Sequence, residues 1–310
     1  TTGTLAVNNT NTGAGTAVVL NLATGVDTTT GSLSGTVVTP SSLTNSATIN
    51  NGGLATTFTV NQTGPGTYAG VIAGAGNFTL GSLSTNTLSL TGANTYTGTT
   101  TITAGTLQLG NGGSTGSLST SSAIVNNGSF TINRTGTIAQ GTDFSRSAIS
   151  GTGSLTKLAS GTLTLNAANT YTGATIINGG ILNTASLANG GAISSIGAGA
   201  NTAGLLTFAG GTLQYTGSAA QSTNRLFTIN TGGATLDASG VNNGGTIRIG
   251  GDYQGGNTLP AASQTYISAD STLKADAVQQ GNGGRVIVWA DKTTQFGGTI
   301  TARGGTTSGD

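Results

Sequence analysis

Apolar and small polar residues alternate with a period of two along most of this chain. The stretch from residue 88 to residue 110 reads LSLTGANTYTGTTTITAGTLQLG. Alternation of this kind is typical of short β-strands that turn one side towards a core. No segment shows the 3.6-residue period of a helix, and Gly, Thr and Asn disfavour helices throughout. The residues predicted to point inward in this stretch are Leu88, Leu90, Leu107 and Leu109.

The same pattern returns further along the chain with a constant offset. Residues 163–182 read LTLNAANTYTGATIINGGIL, so that Asn169 and Tyr171 correspond to Asn94 and Tyr96 of the first stretch. Upstream of both copies, SATINNGG returns as SAIVNNGS. Similarity at a fixed spacing is the sequence signature of a repeat architecture. The inward residues of the second copy are predicted to be Leu163 and Leu165.

Strands this short, joined by connections far shorter than a helical crossover, can pair in parallel only by coiling around a common axis. The sequence therefore predicts an all-β fold, a parallel β-helix (β-solenoid) that forms a single elongated rod. Rungs of about 20 residues would give about 15 rungs. At about 4.8 Å between strands, the rod would be on the order of 70 Å long.

The repeat pattern and the charge of the chain change after about residue 201. Residues 1–201 are interpreted as a β-helix built from units of about 75 residues, and residues 202–310 as its continuation in a second, more charged repeat type. The segment from Arg225 to Asp310 holds 12 of the 17 charged residues. The inward residues predicted in this part are Phe227, Ile229, Val286 and Val288.

Composition excludes several classes of function. Charged residues make up 5% of the chain, against roughly 25% in a typical soluble domain, and the net charge is +1. With this charge balance the chain lacks the basic surface that binds nucleic acid or an anionic membrane. No apolar run is long enough to insert into a membrane. The chain has no Cys and no His, so disulfides, Cys or His metal sites and histidine triads are excluded.

Four phrases resemble segments of known families. LTKLASGTLTLNAANTYTGATIINGG resembles the autotransporter-associated β-strand repeat of secreted passenger domains of Gram-negative bacteria, and FAGGTLQYTGSAAQSTNRLFTINTGGATLDASG resembles the segment that often follows it. GGTIRIGGDYQGG and GNGGRVIVWADKTTQFGGTITARGG resemble repeats of filamentous-haemagglutinin-like adhesins. With the earlier copy of the repeat, the resemblance extends over most of residues 67–305. The resemblance implies a right-handed parallel β-helix that is extracellular or lies on the bacterial outer-membrane surface, without shared catalytic residues.

Aspartates of the final third form the one carboxylate grouping that suggests catalysis. β-Helical enzymes that degrade polysaccharides place several Asp on one exposed face, where they bind Ca²⁺ or act as acid and base. Here the aspartates alternate with Lys and Arg, which favours a solvated face with local ion pairs. We therefore expect no enzyme activity, no catalytic or metal-binding residues and no cofactor. The residues concerned are Asp252, Asp270, Asp276 and Asp291, with Lys274, Arg285 and Lys292 between them.

Tyr96 and Tyr171 occupy equal positions in the two copies, so they could form a row that binds the faces of sugar rings. The alternative is that each aromatic ring supports the bend in its own repeat. These two tyrosines are the candidate glycan-facing residues of the sequence. Any other recognition surface is expected in the charged final third, or outside the chain.

The function predicted from the sequence is a non-enzymatic extracellular rod, a structural and adhesive segment of a large secreted bacterial adhesin. Its expected partners are glycans or proteins on host or neighbouring cells. One alternative is self-assembly into a filament or sheath by end-to-end stacking, because a head-to-tail contact that does not close generates a fibre. A further alternative is a polysaccharide-processing enzyme, which requires at least two Asp side chains together in an exposed groove.

Overall fold

The computed structural model describes residues 3–10, 17–23, 25–37, 46–219, 221, 223–256 and 261–309. Within these residues the chain forms short β-strands, and its helical structure is limited to two 3₁₀ turns, Ala203–Leu205 and Tyr253–Gly255. Gly, Thr and Asn favour this outcome, because they weaken helices and supply the bends between strands.

In chain order, the strands of the first half are β1 (Leu5–Ala6), β2 (Ala17–Asn21), β3 (Thr28–Thr30), β4 (Leu33–Ser34), β5 (Ser46–Asn50), β6 (Thr57–Val60), β7 (Gly66–Tyr68), β8 (Val71–Ala73), β9 (Asn77–Leu80), β10 (Thr87–Leu90), β11 (Thr100–Ile102), β12 (Thr106–Leu109), β13 (Ile124–Asn126), β14 (Ser129–Ile132) and β15 (Thr137–Ala139).

The strands of the second half are β16 (Ser154–Lys157), β17 (Thr162–Leu165), β18 (Thr175–Ile177), β19 (Ile181–Thr184), β20 (Leu206–Phe208), β21 (Thr212–Tyr215), β22 (Thr228–Ile229), β23 (Thr235–Asp237), β24 (Thr246–Ile249), β25 (Gln264–Ile267), β26 (Thr272–Lys274), β27 (Arg285–Val288), β28 (Thr293–Phe296) and β29 (Thr299–Thr301).

These strands stack on three faces of a coil, and one full turn of the coil is here called a rung. Face one carries the pair β1–β4 and an eight-stranded sheet from β7 to β22. Face two carries the sheet β2–β5–β8 and then a seven-stranded sheet from β15 to β29, and face three carries β3–β6–β9–β11–β13. All ladders between these strands are parallel. The predicted parallel β-helix is confirmed.

The rungs differ in length. Leu88 pairs with Leu107 in the next rung, whereas Asp237 pairs with Lys274, at nearly twice that separation along the chain. The prediction of rungs of about 20 residues is therefore wrong for the C-terminal part of the rod, and also for the N-terminal part, where Leu5 pairs with Leu33 and Val18 with Ala47. Longer rungs use more residues for each turn of the coil, so the described residues make fewer rungs than the sequence predicts.

The inward side chains form one continuous core along most of the rod. It extends from Val7 to Ala234, and half-buried Phe227 and Ile229 pack against it. Removing a Leu side chain from water contributes roughly 2 kcal/mol, so the leucine rows stabilise the stack strongly. The six predicted inward leucines are all fully buried in this core: Leu88, Leu90, Leu107, Leu109, Leu163 and Leu165.

A second, smaller core begins after Leu236. It contains buried Ile247, Ile249, Ile267 and Leu273, with half-buried Val286 and Val288 packed against them. Phe227 and Leu236 pack against both cores. The larger core thus passes residue 201 without interruption, and a change of repeat type at that point stays a prediction from the sequence.

The two copies of the repeat lie on different faces. Leu88 belongs to β10 on face one, whereas its counterpart Leu163 belongs to β17 on face two. Likewise, Thr100 lies in β11 on face three and Thr175 in β18 on face one. The repeat therefore spans three rungs and one additional face, so equal residues are displaced around the coil.

A buried asparagine joins successive rungs where the ANTYTG segment interrupts a sheet. The side-chain oxygen of Asn94 accepts a hydrogen bond from the backbone of Ile72 (2.9 Å), and its amide nitrogen donates to the carbonyl of Ser117 (3.0 Å). Asn169 accepts in the same way from the backbone of Ile149 (2.8 Å). The side-chain amide supplies hydrogen bonds that the missing ladder would have made, so these buried backbone groups keep a partner.

Glycine is required at the bend that follows in each copy. Gly105 and Gly180 have φ angles of 71° and 63°, a left-handed conformation that other residues rarely adopt. A Cβ atom at Gly105 would lie 2.8 Å from the Cβ of Ser84, and one at Gly180 would lie 2.3 Å from the carbonyl oxygen of Gly161. The bends therefore lie in direct contact with the preceding rung.

One inward position holds a lysine. Lys157 occupies the row of Ile132 and Ile177, its register partners in the adjacent strands. Its ammonium donates to the backbone oxygens of Ala159 and, at 3.4 Å, Gly179. Burial lowers the pKa of Lys157 to about 8, because a charged ammonium is disfavoured in the core.

The facing of β17 can be tested with neighbouring substitutions. Leu165→Asp places an unpaired charge in the core and is expected to lower the free energy of unfolding by about 3–5 kcal/mol. Thr164→Asp changes a half-buried, outward residue and is expected to cost less than about 1 kcal/mol. Thermal melting by circular dichroism measures both, and equal losses would contradict the inward assignment of Leu165.

The buried lysine predicts an unusual pH dependence. Between pH 8 and the ordinary Lys pKa of about 10.4, the unfolded chain holds a proton that the folded chain has released, so stability rises with pH. Lys157→Met removes this dependence. Met is expected to stabilise the protein at pH 7 by about 1–3 kcal/mol, and the advantage is expected to shrink by pH 9.5.

Urea denaturation at pH 7 and pH 9.5 measures this change. Lys292→Met, at an exposed position, is the control and should leave the pH dependence unchanged. A stability difference between Lys157→Met and the original chain that is the same at both pH values would show that Lys157 carries its charge in the folded state throughout this range.

Candidate functional site

Four neighbouring strands of face two place polar side chains in one outward row. In register order these are Gln214, Asp237, Lys274 and Thr301. The amide nitrogen of Gln214 donates to Oδ2 of Asp237 at 3.1 Å, and the ammonium of Lys274 lies 3.5 Å from the same oxygen. Hydrogen bonds and ion pairing therefore continue along the rod axis from rung to rung.

A second polar group lies where the strands end, just beyond Lys274 and Thr301. The carboxylate of Asp276 accepts from the backbone of Arg303 (2.8 Å), from its guanidinium (3.1 Å) and from the hydroxyl of Thr301 (3.1 Å). Burial opposes the charge of Asp276, but these hydrogen bonds outweigh it and lower the pKa of its carboxyl group. The Arg303 side chain is 75% exposed, so it is open to a partner.

The two polar groups line a groove of about 690 Å³, here called the corner groove. Its volume lies within the range of about 300–1,000 Å³ that is usual for ligand sites. Each carboxylate is paired with a cation, so the lining offers donors and acceptors without a large net charge. The residues that define it are Gln214, Tyr215, Asp237, Lys274, Asp276 and Arg303.

The four aspartates singled out in the sequence are not brought together. Of these, Asp276 lines the corner groove, Asp270 lines a different groove, and Asp252 lies 3.7 Å from Arg248. Asp291 is exposed and borders neither groove. A hydrogen bond from the hydroxyl of Ser268 lowers the pKa of Asp270. Both shifted carboxyl groups, Asp270 and Asp276, are thus stronger acids than usual, which is opposite to a general acid's requirement.

The sequence reasoning missed four groove residues, Gln214, Tyr215, Arg303 and Asp237, and of these Asp237 forms the ion pair with Lys274. A signal for Asp237 exists, because the triplet Thr-Leu-X or Thr-Ile-X recurs in face-two strands, with X pointing outward. Aligning these triplets would have placed Asp237 beside Lys274. The triplets begin at Thr137, Thr162, Thr212, Thr235, Thr272 and Thr299.

Among the described residues, no three or more side chains of His, Cys, Asp or Glu cluster in a way that could hold a metal ion. The described part also contains no helix of the length and apolar character needed to cross a membrane.

The predicted glycan-facing tyrosines are core residues. Tyr96 and Tyr171 are both fully buried, and their hydroxyl groups bond to the hydroxyls of Thr100 (2.6 Å) and Thr175 (2.7 Å). Burial raises the pKa of both phenols above the ordinary value. Side chains without accessible surface cannot contact a glycan, so the predicted sugar-binding row is wrong. The alternative interpretation, an aromatic ring that supports its own bend, describes both residues.

The passenger-associated-transport-repeat family matches residues 83–109 and 155–183. The matched segments contain most of the two leucine-rich copies. They confirm the resemblance to autotransporter passenger repeats that the sequence indicated there. The resemblance of the last third to filamentous-haemagglutinin-like repeats stays a prediction.

The chain is similar to an adhesin autotransporter, BmaC, of Brucella suis biovar 1 (strain 1330). The two are 35% identical over 204 residues, which cover 56% of this chain. The chain spans only 6% of the length of that relative. No solved structure matches the chain.

The hydrogen bonds of Asp276 predict a stability loss in acid. A carboxyl group with a lowered folded-state pKa stabilises the fold above its unfolded pKa of about 3.9, and this contribution is lost as the pH falls through the folded value. Asp276→Asn is therefore expected to destabilise the protein at pH 6 and to weaken its loss of stability between pH 6 and pH 3.

Urea denaturation at both pH values measures the effect, and Asp291→Asn at an exposed position is the matched control. If Asp276→Asn and Asp291→Asn gave the same pH dependence, the network around Asp276 would not hold its charged form.

Proposed function

We propose that this chain is a segment of a rigid, non-enzymatic extracellular rod through which a bacterial cell adheres to other surfaces. The observation that carries the proposal is the stack of parallel strands around a continuous core, which extends from Val7 to Ala234. Each rung of such a coil contacts only its neighbours. Every additional rung therefore lengthens the coil. It is suited to holding binding surfaces away from a cell.

Stiffness follows from the way the rungs are joined. Inner strands of the eight-stranded sheet on face one have a hydrogen-bonded neighbour on both sides, so bending the rod would strain several ladders at once. Aromatic contacts between rungs add to this, since the rings of Phe58 and Phe78 lie 6.0 Å apart in an edge-to-face arrangement. A stiff rod transmits the position of one end to the other.

The outer surface supports binding rather than catalysis. Its outward rows are mainly Thr, Ser, Asn and Gln, which donate and accept hydrogen bonds without strong charge. The pairing of Asp237 with Lys274 and of Asp276 with Arg303 leaves no free acid and base in the corner groove. The partners that fit this surface are glycans or proteins with many hydroxyl and amide groups, on host or neighbouring cells.

The comparisons support the same location and use. The chain carries two passenger-associated transport repeats and is similar to an adhesin autotransporter. We therefore place it outside the cell or on the bacterial outer-membrane surface. End-to-end assembly into a filament stays a prediction from the sequence, and negative-stain microscopy of the purified chain tests it.

Adhesion can be measured with microspheres that carry purified chain 1–310 at a set density. The spheres are expected to remain on cultured epithelial cells under flow at least several-fold better than uncoated spheres. Free chain added to the medium should compete, because the same surface would be occupied. Coated spheres that wash off as readily as uncoated ones would contradict an adhesive role for this segment.

A further inference from the structure

Face one is interrupted near the C-terminal end of the larger core. In the described part of the chain, β22 ends the eight-stranded sheet. The next strand on this face is β25, because it precedes β26 as β22 precedes β23, and β23 and β26 are paired. β25 pairs with β28 in a separate two-stranded sheet. The smaller core begins at the same level, so the interruption is a seam between two stacked cores. Strands that are not paired leave room between them.

This room is a groove of about 820 Å³, here called the seam groove. Residues from β22 and its preceding loop line one wall, and residues from β24 and β25 line the other. Its size again falls within the range of about 300–1,000 Å³ that is usual for ligand sites. Its lining includes Arg225, Arg248, Gly251, Gln264, Tyr266 and Asp270.

An exposed aromatic ring stands on one wall of the groove. In β25, Thr265 and Ile267 are buried while Gln264 and Tyr266 point outward, and Tyr266 is 66% exposed. The hydroxyl of Thr265 donates to the backbone oxygen of Trp289 at 2.6 Å. This bond anchors the strand, so the tyrosine ring is presented on a fixed support.

Polar groups of both charges line the same groove as the ring. Arg248 lies 3.7 Å from Asp252, so its charge is partly balanced, and Asp270 and Gln264 add an acid and an amide. Arg225 also borders the groove, but its guanidinium donates to four backbone carbonyl oxygens and is already used. The lining therefore has little net charge and favours an uncharged ligand rich in hydrogen-bonding groups.

We propose that the seam groove binds a neutral oligosaccharide. The ring of Tyr266 packs against the apolar C–H face of one sugar, while Arg248, Gln264 and Asp270 bond to its hydroxyl groups. An aromatic face with adjacent polar groups suits a ligand that is apolar on its ring faces and polar at its edge. The inference deepens the proposed adhesive function and rests on it for the source of the ligand, a cell-surface glycan.

The chain contains a built-in reporter for this site. Trp289 is its only tryptophan, and a Cβ atom at Gly251 would lie 2.9 Å from the indole ring. Gly251 lines the seam groove, so the indole lies directly behind the groove wall. A ligand seated in the groove is expected to change the fluorescence of Trp289.

The experiment titrates the folded chain with hexaoses of glucose in α- and β-linkage, of mannose and of N-acetylglucosamine, with sialyllactose as an acidic comparison. At least one neutral hexaose is expected to change the Trp289 fluorescence in a saturable way. Tyr266→Ala should weaken that binding at least tenfold, while Tyr266→Phe should retain it.

Tyr253→Ala is the matched control, because Tyr253 is 65% exposed but does not line the groove. It should bind like the original chain, and unchanged thermal melting of all variants shows that they are folded. Three results would overturn the proposal: no saturable change with any neutral hexaose, equal binding by Tyr266→Ala, or binding of sialyllactose alone.

The outcome is separable from that of the adhesion experiment. Coated spheres that adhere equally well with the original chain and with Tyr266→Ala, without hexaose binding, would leave adhesion in place and overturn the seam-groove site. Hexaose binding that depends on Tyr266, with spheres that do not adhere, would support the site and contradict an adhesive role for this segment.

Discussion

Parallel hydrogen bonding between rungs is the constraint on which this structure depends. It fixes the register, so each inward residue lies beside the residue at the same position of the next rung. An inward polar group must then find its partner inside the coil. Asn94 meets this demand by bonding to the backbone of the rungs on both sides, and Tyr96 by bonding to Thr100. Lys157 meets it with backbone carbonyls, but its pKa is lowered to about 8.

The fold could be predicted because the period of two of the apolar residues is enough to identify the buried positions of each strand. Alternation identified the leucines of β10 and β17 as inward, and the repeat indicated stacking. The same reasoning gave the wrong exposure for Tyr96, because a tyrosine next to a glycine bend is expected to lie at the surface. Its burial depends on a hydroxyl partner in the following strand, Thr100, and the period of two carries no information about such partners.

The two grooves have a common physical origin. Both lie in the C-terminal part of the rod, where the rungs become longer, so side chains far apart in the sequence meet. Asp237 and Asp276 line one groove although a whole long rung of chain lies between them. Sequence reasoning placed recognition in this charged final third but could not pair these residues, because pairing requires the lengths of the intervening loops.

The sequence repeat places equal residues of successive copies on different faces of the rod. Because each copy advances by one face beyond three rungs, equal surface patches follow a slow helical path around the axis, and three copies, about 225 residues, restore the original orientation. A rod built from such copies has no single binding side. In this chain the two copies present equal residues on two different faces, so contact with them is not confined to one side of the rod.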